Sequence, residues 1–174
     1  MRLPIAILLC AAALFAGENT GRRAPGFALP DSKMSFHDLA DHRGKIVLLE
    51  FTQTDCPHCA TFAPILNQVQ QRYAGKVVVL AVVNGAHDDG AKVAAYIAGH
   101  QIAYPVLFDA GQMEYSYVRK SSVDNPCLFL IDGNGIIRND WSYSPFTRDI
   151  FEGKALFTEI DRLLNANFSA APKK

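Results

Sequence analysis

Two cysteines separated by two residues form a pair that could carry out redox chemistry. Cys56 and Cys59 follow an apolar run and open a stretch with helical periodicity. Cysteines at this spacing can close a disulfide across one helical turn, and the N-terminal end of a helix stabilises a thiolate on the first of them. Because the thiolate attacks disulfides, the pattern predicts thiol–disulfide exchange. Cys56 would be the nucleophile at the solvent-facing end, and Cys59 the resolving thiol, screened by the first turn.

The same pair could instead supply half of a zinc site. A structural zinc ion needs four ligands, which usually include a second Cys or His pair. The remaining candidate ligands are scattered along the chain: His37, His42, His87, His100 and Cys127. We therefore expect no metal and no cofactor.

A glutamate lies six residues before the first cysteine. Glu50 belongs to the run 46–51, whose other members are apolar. Buried acids are rare unless they are paired or functional. One interpretation, favoured mainly by the family resemblance given below, makes Glu50 a proton acceptor for Cys59, buried beneath the redox helix with its pKa raised by desolvation. The alternative is a residue at a strand end whose carboxylate reaches solvent.

The elements that must position these residues alternate between strand and helix patterns. Apolar runs predict strands over 46–51, 77–83, 106–108, 126–131 and 136–141. Helical spacing predicts helices over 57–74, 89–99, 112–118 and 154–164. An Asp-Gly-Asn-Gly sequence between the last two strands is a strong hairpin signal. This order predicts an α/β layer fold with a mixed central sheet, in which the hairpin supplies the antiparallel edge.

The bulk composition excludes some partners. Seventeen basic residues balance seventeen acidic ones, so there is no electrostatic reason to expect nucleic acid as a partner. The N-terminus is different: Arg2 is followed by residues 3–17 without a charge. A positive start and a short apolar run are typical of a secretory signal peptide, and the run is short for a spanning helix of ~20 residues. Export would place the chain in an oxidising compartment.

The domain organisation follows from these patterns. We expect a signal peptide or an N-terminal anchor over 1–17, which includes Cys10, then a linker over 18–24. A globular domain over 25–166 and a flexible tail over 167–174 complete the chain. A membrane would be a partner only if the leader stays uncleaved.

Two stretches resemble the TlpA/ResA-like, AhpC/TSA-related branch of the thioredoxin-like proteins. They run from APGFALPDSK to TQTDCPHC, residues 24–59, and from YPVLFD to GNGIIR, residues 104–138. Pro64 matches a helix-kinking proline of the family, and Glu50 falls where thioredoxin has a buried aspartate. Pro126 falls at the family's cis-proline, which faces the disulfide. The resemblance, over about residues 24–166, implies a thioredoxin-like fold with helices on both faces of the sheet.

The resemblance also implies a function. Members exchange disulfides with protein thiols in the bacterial periplasm or cell envelope, and each depends on a redox partner protein. The Asn125–Pro126 bond would be cis, which leaves the backbone of Asn125 able to pair with an extended substrate. Pro57 and His58, between the two cysteines, would support the site.

The chain departs from the family at two positions. Asp55 replaces the usual tryptophan before the first cysteine, and a carboxylate there opposes thiolate formation. The Pro-His pair between the cysteines resembles DsbA-type oxidases more than reductases. An imidazole at His58 can stabilise the Cys56 thiolate, and a stabilised thiolate makes the pair more oxidising. We therefore expect a potential above that of thioredoxin.

Two other functions compete. A peroxiredoxin-like thiol peroxidase would need a Pro-x-x-x-Thr-x-x-Cys pattern, but Leu49 and Gln53 occupy the first two of its defining positions. A Sco-like copper-binding chaperone shares Phe-Thr and Cys-Pro dipeptides with residues 51–57, but spaces its cysteines by three residues.

Three further features have plain structural interpretations. We interpret Cys127 as a buried strand cysteine that packs as a small apolar residue. The alternative is that it acts as a resolving or regulatory thiol. Asp88 and Asp89 are expected to cap the helix that follows them. Aromatic residues late in the chain, Tyr143 among them, could line a peptide groove, but such residues are more often core, so we assign them no role.

Overall fold

The computed structural model describes residues 17–119 and 125–169, with side chains to residue 166. The strands are β1 (Ala28–Pro30), β2 (Phe36–Asp38), β3 (Ile46–Phe51), β4 (Val77–Asn84), β5 (Val106–Asp109), β6 (Cys127–Ile131) and β7 (Ile137–Ser142). The helices are α1 (Pro57–Arg72), α2 (Gly90–His100), α3 (Gln112–Tyr117), α4 (Arg148–Phe151) and α5 (Lys154–Ser169). A 3₁₀ turn covers Leu39–His42. The predicted signal peptide or anchor lies almost entirely outside the described residues.

The central sheet has five strands in the order β5-β4-β3-β6-β7. The strand that leads to the redox pair, β3, is its middle member and is buried at every residue. It runs parallel to β4 and antiparallel to β6. A strand covered on both sides needs apolar residues on both faces, which explains its continuous apolar run. The predicted mixed sheet with an antiparallel edge is confirmed.

The sheet separates two apolar clusters because successive strand residues point to opposite faces. Ile46 and Leu48 of β3 join the first cluster, together with buried residues of α1, α2, α4 and α5. Val47 and Leu49 join the second cluster, together with residues of α3. Helices therefore cover both faces, as predicted, and Glu50 follows Ile46 and Leu48 onto the face that α1 covers.

The edge hairpin β6–β7 is built around a buried carboxylate. One oxygen of Asp132 accepts hydrogen bonds from the backbone N–H groups of Asn134 and Ile136, each at 2.9 Å. The other accepts from Arg138 at 2.6 Å. Gly135 has a φ of 76°, a conformation that glycine adopts without steric cost. The Asp-Gly-Asn-Gly hairpin is thus confirmed.

The segment that we expected to be a linker is attached to the domain. Gly17 donates from its backbone to Asn139 at 2.9 Å, and the side chain of Asn19 donates to Asp140 at 2.9 Å. Arg23 forms an isolated bridge with Ile136 on the edge hairpin. At the other end, α5 reaches into the expected tail. The short β1–β2 hairpin and the single-turn helix α4 were not predicted.

Candidate active site

The redox pair occupies the N-terminal end of α1. Cys56 is the N-cap residue, with extended backbone angles, and its Sγ accepts a hydrogen bond from the Cys59 N–H at 3.1 Å. Pro57 is the first helical residue, where its missing N–H costs no hydrogen bond and its fixed φ suits the helix. Cys56 and Cys59 are joined as a disulfide, with their Cα atoms 5.3 Å apart. The Cys59 N–H, which donates to the Cys56 Sγ, and the other N–H dipoles of the first helical turn would stabilise a thiolate on Cys56.

The two sulfur-bearing residues differ sharply in exposure. Cys56 is half-buried at the protein surface, whereas Cys59 is 0% exposed. A substrate sulfur can therefore approach Cys56 but not Cys59. Asp55, beside Cys56, is exposed to solvent, so its charge acts on the sulfur through a screening medium.

The loop before β6 approaches the first cysteine from the other side. The Asn125–Pro126 peptide bond is cis, as predicted. The carbonyl oxygen of Asn125 lies 3.7 Å from the Cys56 Sγ. Pro126 is buried, and its carbonyl oxygen accepts a hydrogen bond from the Tyr143 N–H at 3.0 Å. The fold thus brings Asn125 and Pro126 to the redox pair, although they are distant from it in sequence.

His58 has an aromatic partner that the sequence did not reveal. Its ring stacks on Tyr143, with centroids 3.9 Å apart and planes 20° from parallel. Tyr143 in turn packs edge-on against Phe151 of α4, at 5.5 Å. No hydrogen bond joins the His58 ring to Cys56 among the described residues. Tyr143, to which the sequence assigned no role, therefore belongs to the site, and only its position directly after β7 hinted at this.

A groove opens beside this stack. It is lined by His58, Thr61, Ile65, Tyr143, Phe151 and the Arg148–Glu152 ion pair. It borders the first turn of α1, so a chain bound at Cys56 would meet aromatic and charged side chains there.

Glu50 is buried beneath α1, as predicted. The residue is 1% exposed, and neither carboxylate oxygen has a hydrogen-bond partner within the described ranges 17–119 and 125–169. Its neighbours across the sheet are Ala81 on β4 and Leu128 on β6. Burial disfavours the charged form and raises the pKa of Glu50 to about 8, while the nearby Thr52 hydroxyl acts in the opposite direction. A carboxyl with this pKa can accept and release a proton near neutral pH.

Cys127 lies on the opposite face of the sheet from Glu50. It is buried in β6, pairs in register with Phe51 and belongs to the second apolar cluster. Its Sγ lies 3.7 Å from the Ser142 Oγ. These contacts support the interpretation of Cys127 as a strand cysteine that packs as a small apolar residue.

No three His, Cys, Asp or Glu side chains within residues 17–119 and 125–169 are grouped so that they could hold a metal ion.

The chain is similar to proteins of known class. The model of the AhpC/TSA family matches residues 20–140. Thioredoxin-like protein YneN of Bacillus subtilis is 29% identical over 124 residues, 71% of either chain. Thiol-disulfide oxidoreductase ResA of Geobacillus thermodenitrificans is 30% identical over 148 residues, 79% of this chain and 83% of that protein. A solved structure assigned as thiol:disulfide interchange protein DsbE of Chlorobium tepidum superposes with a TM-score of 0.67. It is 31% identical, covering 79% of this chain and 95% of that one.

The fold and the sulfur pair define a thiol–disulfide oxidoreductase with a thioredoxin-like fold. The chain belongs to the AhpC/TSA family, and its relatives place it with the ResA-like and DsbE-like redoxins.

Proposed function

We propose that the protein exchanges disulfides with protein thiols outside the cytoplasm, through its Cys-Pro-His-Cys motif. The observation that carries this proposal is the exposure difference within one disulfide at a helix N-terminus. Only Cys56 is reachable, and the helix N-terminus favours its thiolate. The ResA-like relatives support the reaction class, and a protein thiol is the substrate that their class implies.

The exchange runs in two steps. In the reduced protein, the Cys56 thiolate attacks one sulfur of a substrate disulfide, which forms a mixed disulfide and releases the other substrate sulfur as a thiolate. Cys59 then loses its proton to the Glu50 carboxylate and attacks the Cys56 Sγ. The Cys56–Cys59 disulfide forms, and the second substrate thiolate leaves and takes up a proton. The same steps in reverse oxidise a substrate dithiol.

The surroundings of Cys56 suit an extended substrate. The Asn125 carbonyl oxygen, 3.7 Å from the Cys56 Sγ, is a backbone acceptor beside the bond that is exchanged. A substrate N–H that pairs with it would hold the substrate cysteine beside Cys56, in the manner of an added strand. The groove next to the His58–Tyr143 stack would then receive the neighbouring substrate side chains.

A trapping experiment tests the assignment of the two thiols. Cys59→Ser should accumulate mixed disulfides on Cys56, because the second step cannot occur. The matched variant Cys56→Ser should trap nothing and should not reduce insulin. Trapping by Cys56→Ser alone would reverse the roles. Parallel assays for hydrogen peroxide consumption and for bound copper would detect the peroxidase and copper-chaperone functions, if either were the real activity.

The cellular location is part of the proposal. Its support is the leader pattern of Arg2 and the uncharged residues 3–17. Within the described residues, no helix has the length and apolar character needed to cross a bilayer. Expression of the full chain, followed by fractionation and N-terminal sequencing, would show export and cleavage. Recovery of the uncut chain from the cytosol would contradict the proposal.

A further inference from the structure

Tyr143 joins two parts of the site that are distant in sequence. Its ring stacks on the imidazole of His58, with centroids 3.9 Å apart and planes 20° from parallel. Its backbone N–H donates to the carbonyl oxygen of Pro126 at 3.0 Å. Tyr143 therefore lies between the Cys-Pro-His-Cys turn and the loop before β6. The two exchange steps require neither the tyrosine ring nor the stack, so this arrangement calls for its own explanation.

The tyrosine is the fixed partner in this stack. The hydroxyl of Thr147 donates to the Ser142 carbonyl oxygen at 2.7 Å and accepts from the Ser144 N–H at 3.0 Å. These two serines flank Tyr143 in the chain, so its backbone is held on both sides. The ring packs edge-on against Phe151, which is only 5% exposed and belongs to the first apolar cluster. Tyr143 thus offers the imidazole a well-supported surface.

The imidazole is the partner that can move. His58 is exposed and is the second residue of α1, two positions after Cys56. Side chains two positions apart do not face each other on a helix, so the ring must turn across the helix end to reach the Cys56 sulfur. In the stacked position the ring instead lines the groove, together with Thr61 and Ile65. Aromatic stacking is favourable beyond the area that it buries, so the stack retains the imidazole there.

The position of the imidazole matters for the reduced form of the sulfur pair. Reduction of the Cys56–Cys59 disulfide by glutathione moves two electrons, and two glutathione thiols are joined into one disulfide and give up two protons. Cys59 takes one proton and becomes a thiol, Cys56 remains a thiolate, and the second proton goes to solvent. An imidazole N–H that donates to this thiolate would stabilise the reduced form and raise the potential. A ring retained by Tyr143 cannot make this bond.

We propose that Tyr143 is a positioning residue, which holds the His58 imidazole on the groove side of α1 and away from the Cys56 sulfur. The reduction potential is then lower than a freely turning histidine at this position would give, and the imidazole acts on the thiolate only through its electric field. This inference deepens the proposed function and rests on Cys56 as the thiol that becomes a thiolate. It makes the potential depend on a residue that lies outside the β3–α1 unit.

Removing the tyrosine ring should free the imidazole. Tyr143→Leu keeps an apolar side chain against Phe151 but offers no face for stacking. We expect its equilibrium constant with glutathione at pH 7 to shift about three- to tenfold toward the dithiol, a rise of about 15–30 mV in potential. Alkylation of the free thiols and mass spectrometry measure the reduced fraction. Tyr143→Phe keeps the ring and should match the wild type. Tyr115→Leu removes an exposed tyrosine from α3, on the other face of the sheet, and should have no effect.

A double-substitution cycle separates positioning from packing. In a His58→Ala background there is no imidazole to release, so adding Tyr143→Leu should leave the potential unchanged. A general loosening of the loop 142–147 would instead move the potential in both backgrounds. A measurement on the unaltered protein does not depend on how any variant folds: NMR should show the His58 ring protons shifted upfield by the tyrosine ring in both the oxidised and the reduced form.

Each other outcome overturns a specific statement. An unchanged or lower potential in Tyr143→Leu would refute the positioning role, and so would an equal rise in the His58→Ala background. Loss of the upfield shifts on reduction would do the same, because the imidazole would then be free to reach the thiolate. Failure of the wild-type disulfide to equilibrate with glutathione would instead refute the proposed exchange function itself.

Discussion

Replacing Glu50 with glutamine should change how the stability of the protein depends on pH. Burial raises the pKa of Glu50 from 4.5 to about 8. Between these values the folded protein holds a proton that the unfolded chain has lost. The stabilisation is therefore complete below pH 4.5 and is lost as the pH rises toward 8. At about 1.4 kcal/mol per pH unit, the interval corresponds to about 5 kcal/mol.

Glutamine has nearly the same shape and cannot ionise, so the variant should not lose this stability as the pH rises. We expect Glu50→Gln to gain about 3 to 5 kcal/mol of unfolding free energy, relative to the wild type, between about pH 5 and pH 8.5. Urea denaturation of both oxidised proteins at the two pH values measures this difference. With the disulfide intact, Cys56 and Cys59 do not titrate, and the other groups cancel between the two proteins.

Glu152→Gln is the matched control. Glu152 is exposed and pairs with Arg148 one turn earlier in the chain, an interaction worth about 0.3–0.5 kcal/mol. Its effect should be nearly the same at both pH values. If the Glu50 and Glu152 variants behaved alike, the carboxyl of Glu50 would not be a buried acid with a raised pKa, and its assignment as proton acceptor would lose its physical basis.

Three other substitutions test the rest of the structure. His58→Ala should lower the reduction potential by about 10–30 mV, measured by equilibration with glutathione, if the imidazole beside the sulfur pair favours the Cys56 thiolate without a hydrogen bond to it, as the sequence predicts; an unchanged potential would make His58 a bystander. Phe62→Ala, at a fully buried position against Phe151, should cost about 3–5 kcal/mol in urea denaturation, and a loss below 1 kcal/mol would contradict the packing described. Asp132→Ala should cost about 2–3 kcal/mol by the same measurement, since it removes the acceptor of two turn N–H groups and of Arg138; full stability would show that the hairpin does not depend on this carboxylate.

Much of the fold could be predicted because its main strands are long apolar runs bounded by turn residues. The run 46–51 matches β3 (Ile46–Phe51), and the other main strands agree within two residues. The short β1–β2 hairpin was missed because three-residue strands carry no readable alternation. α4, at four residues, is too short to show helical periodicity.

The site was predictable where one chain segment carries the chemistry. Cys56, Cys59 and Glu50 all lie on the β3–α1 unit, so their placement follows from local structure. The stacking of Tyr143 on His58 depends on how β7 ends against α1, which no local pattern encodes.

The roles of Asp88 and Asp89, before α2, could likewise be predicted only in part. Asp89 caps α2 as predicted, by accepting from the Lys92 N–H at 2.9 Å. Asp88 does not cap this helix and instead turns inward to Thr54. Two neighbouring aspartates before a helix look equivalent in sequence, and only the tertiary contact to the loop before Cys56 distinguishes them.

The division of the interior by the sheet has a consequence for how the protein can be altered. Glu50 lies on the face toward α1 and α2, whereas the α3 side holds the second apolar cluster with Cys127, and the buried carboxylate of Asp109 accepts from the Met113 N–H there. Mutations far apart, without shared partners, usually have additive effects. Substitutions that improve packing on the α3 side could therefore raise the free energy of unfolding and offset the destabilising effect of substitutions near Glu50. Stability and redox reactivity can then change separately.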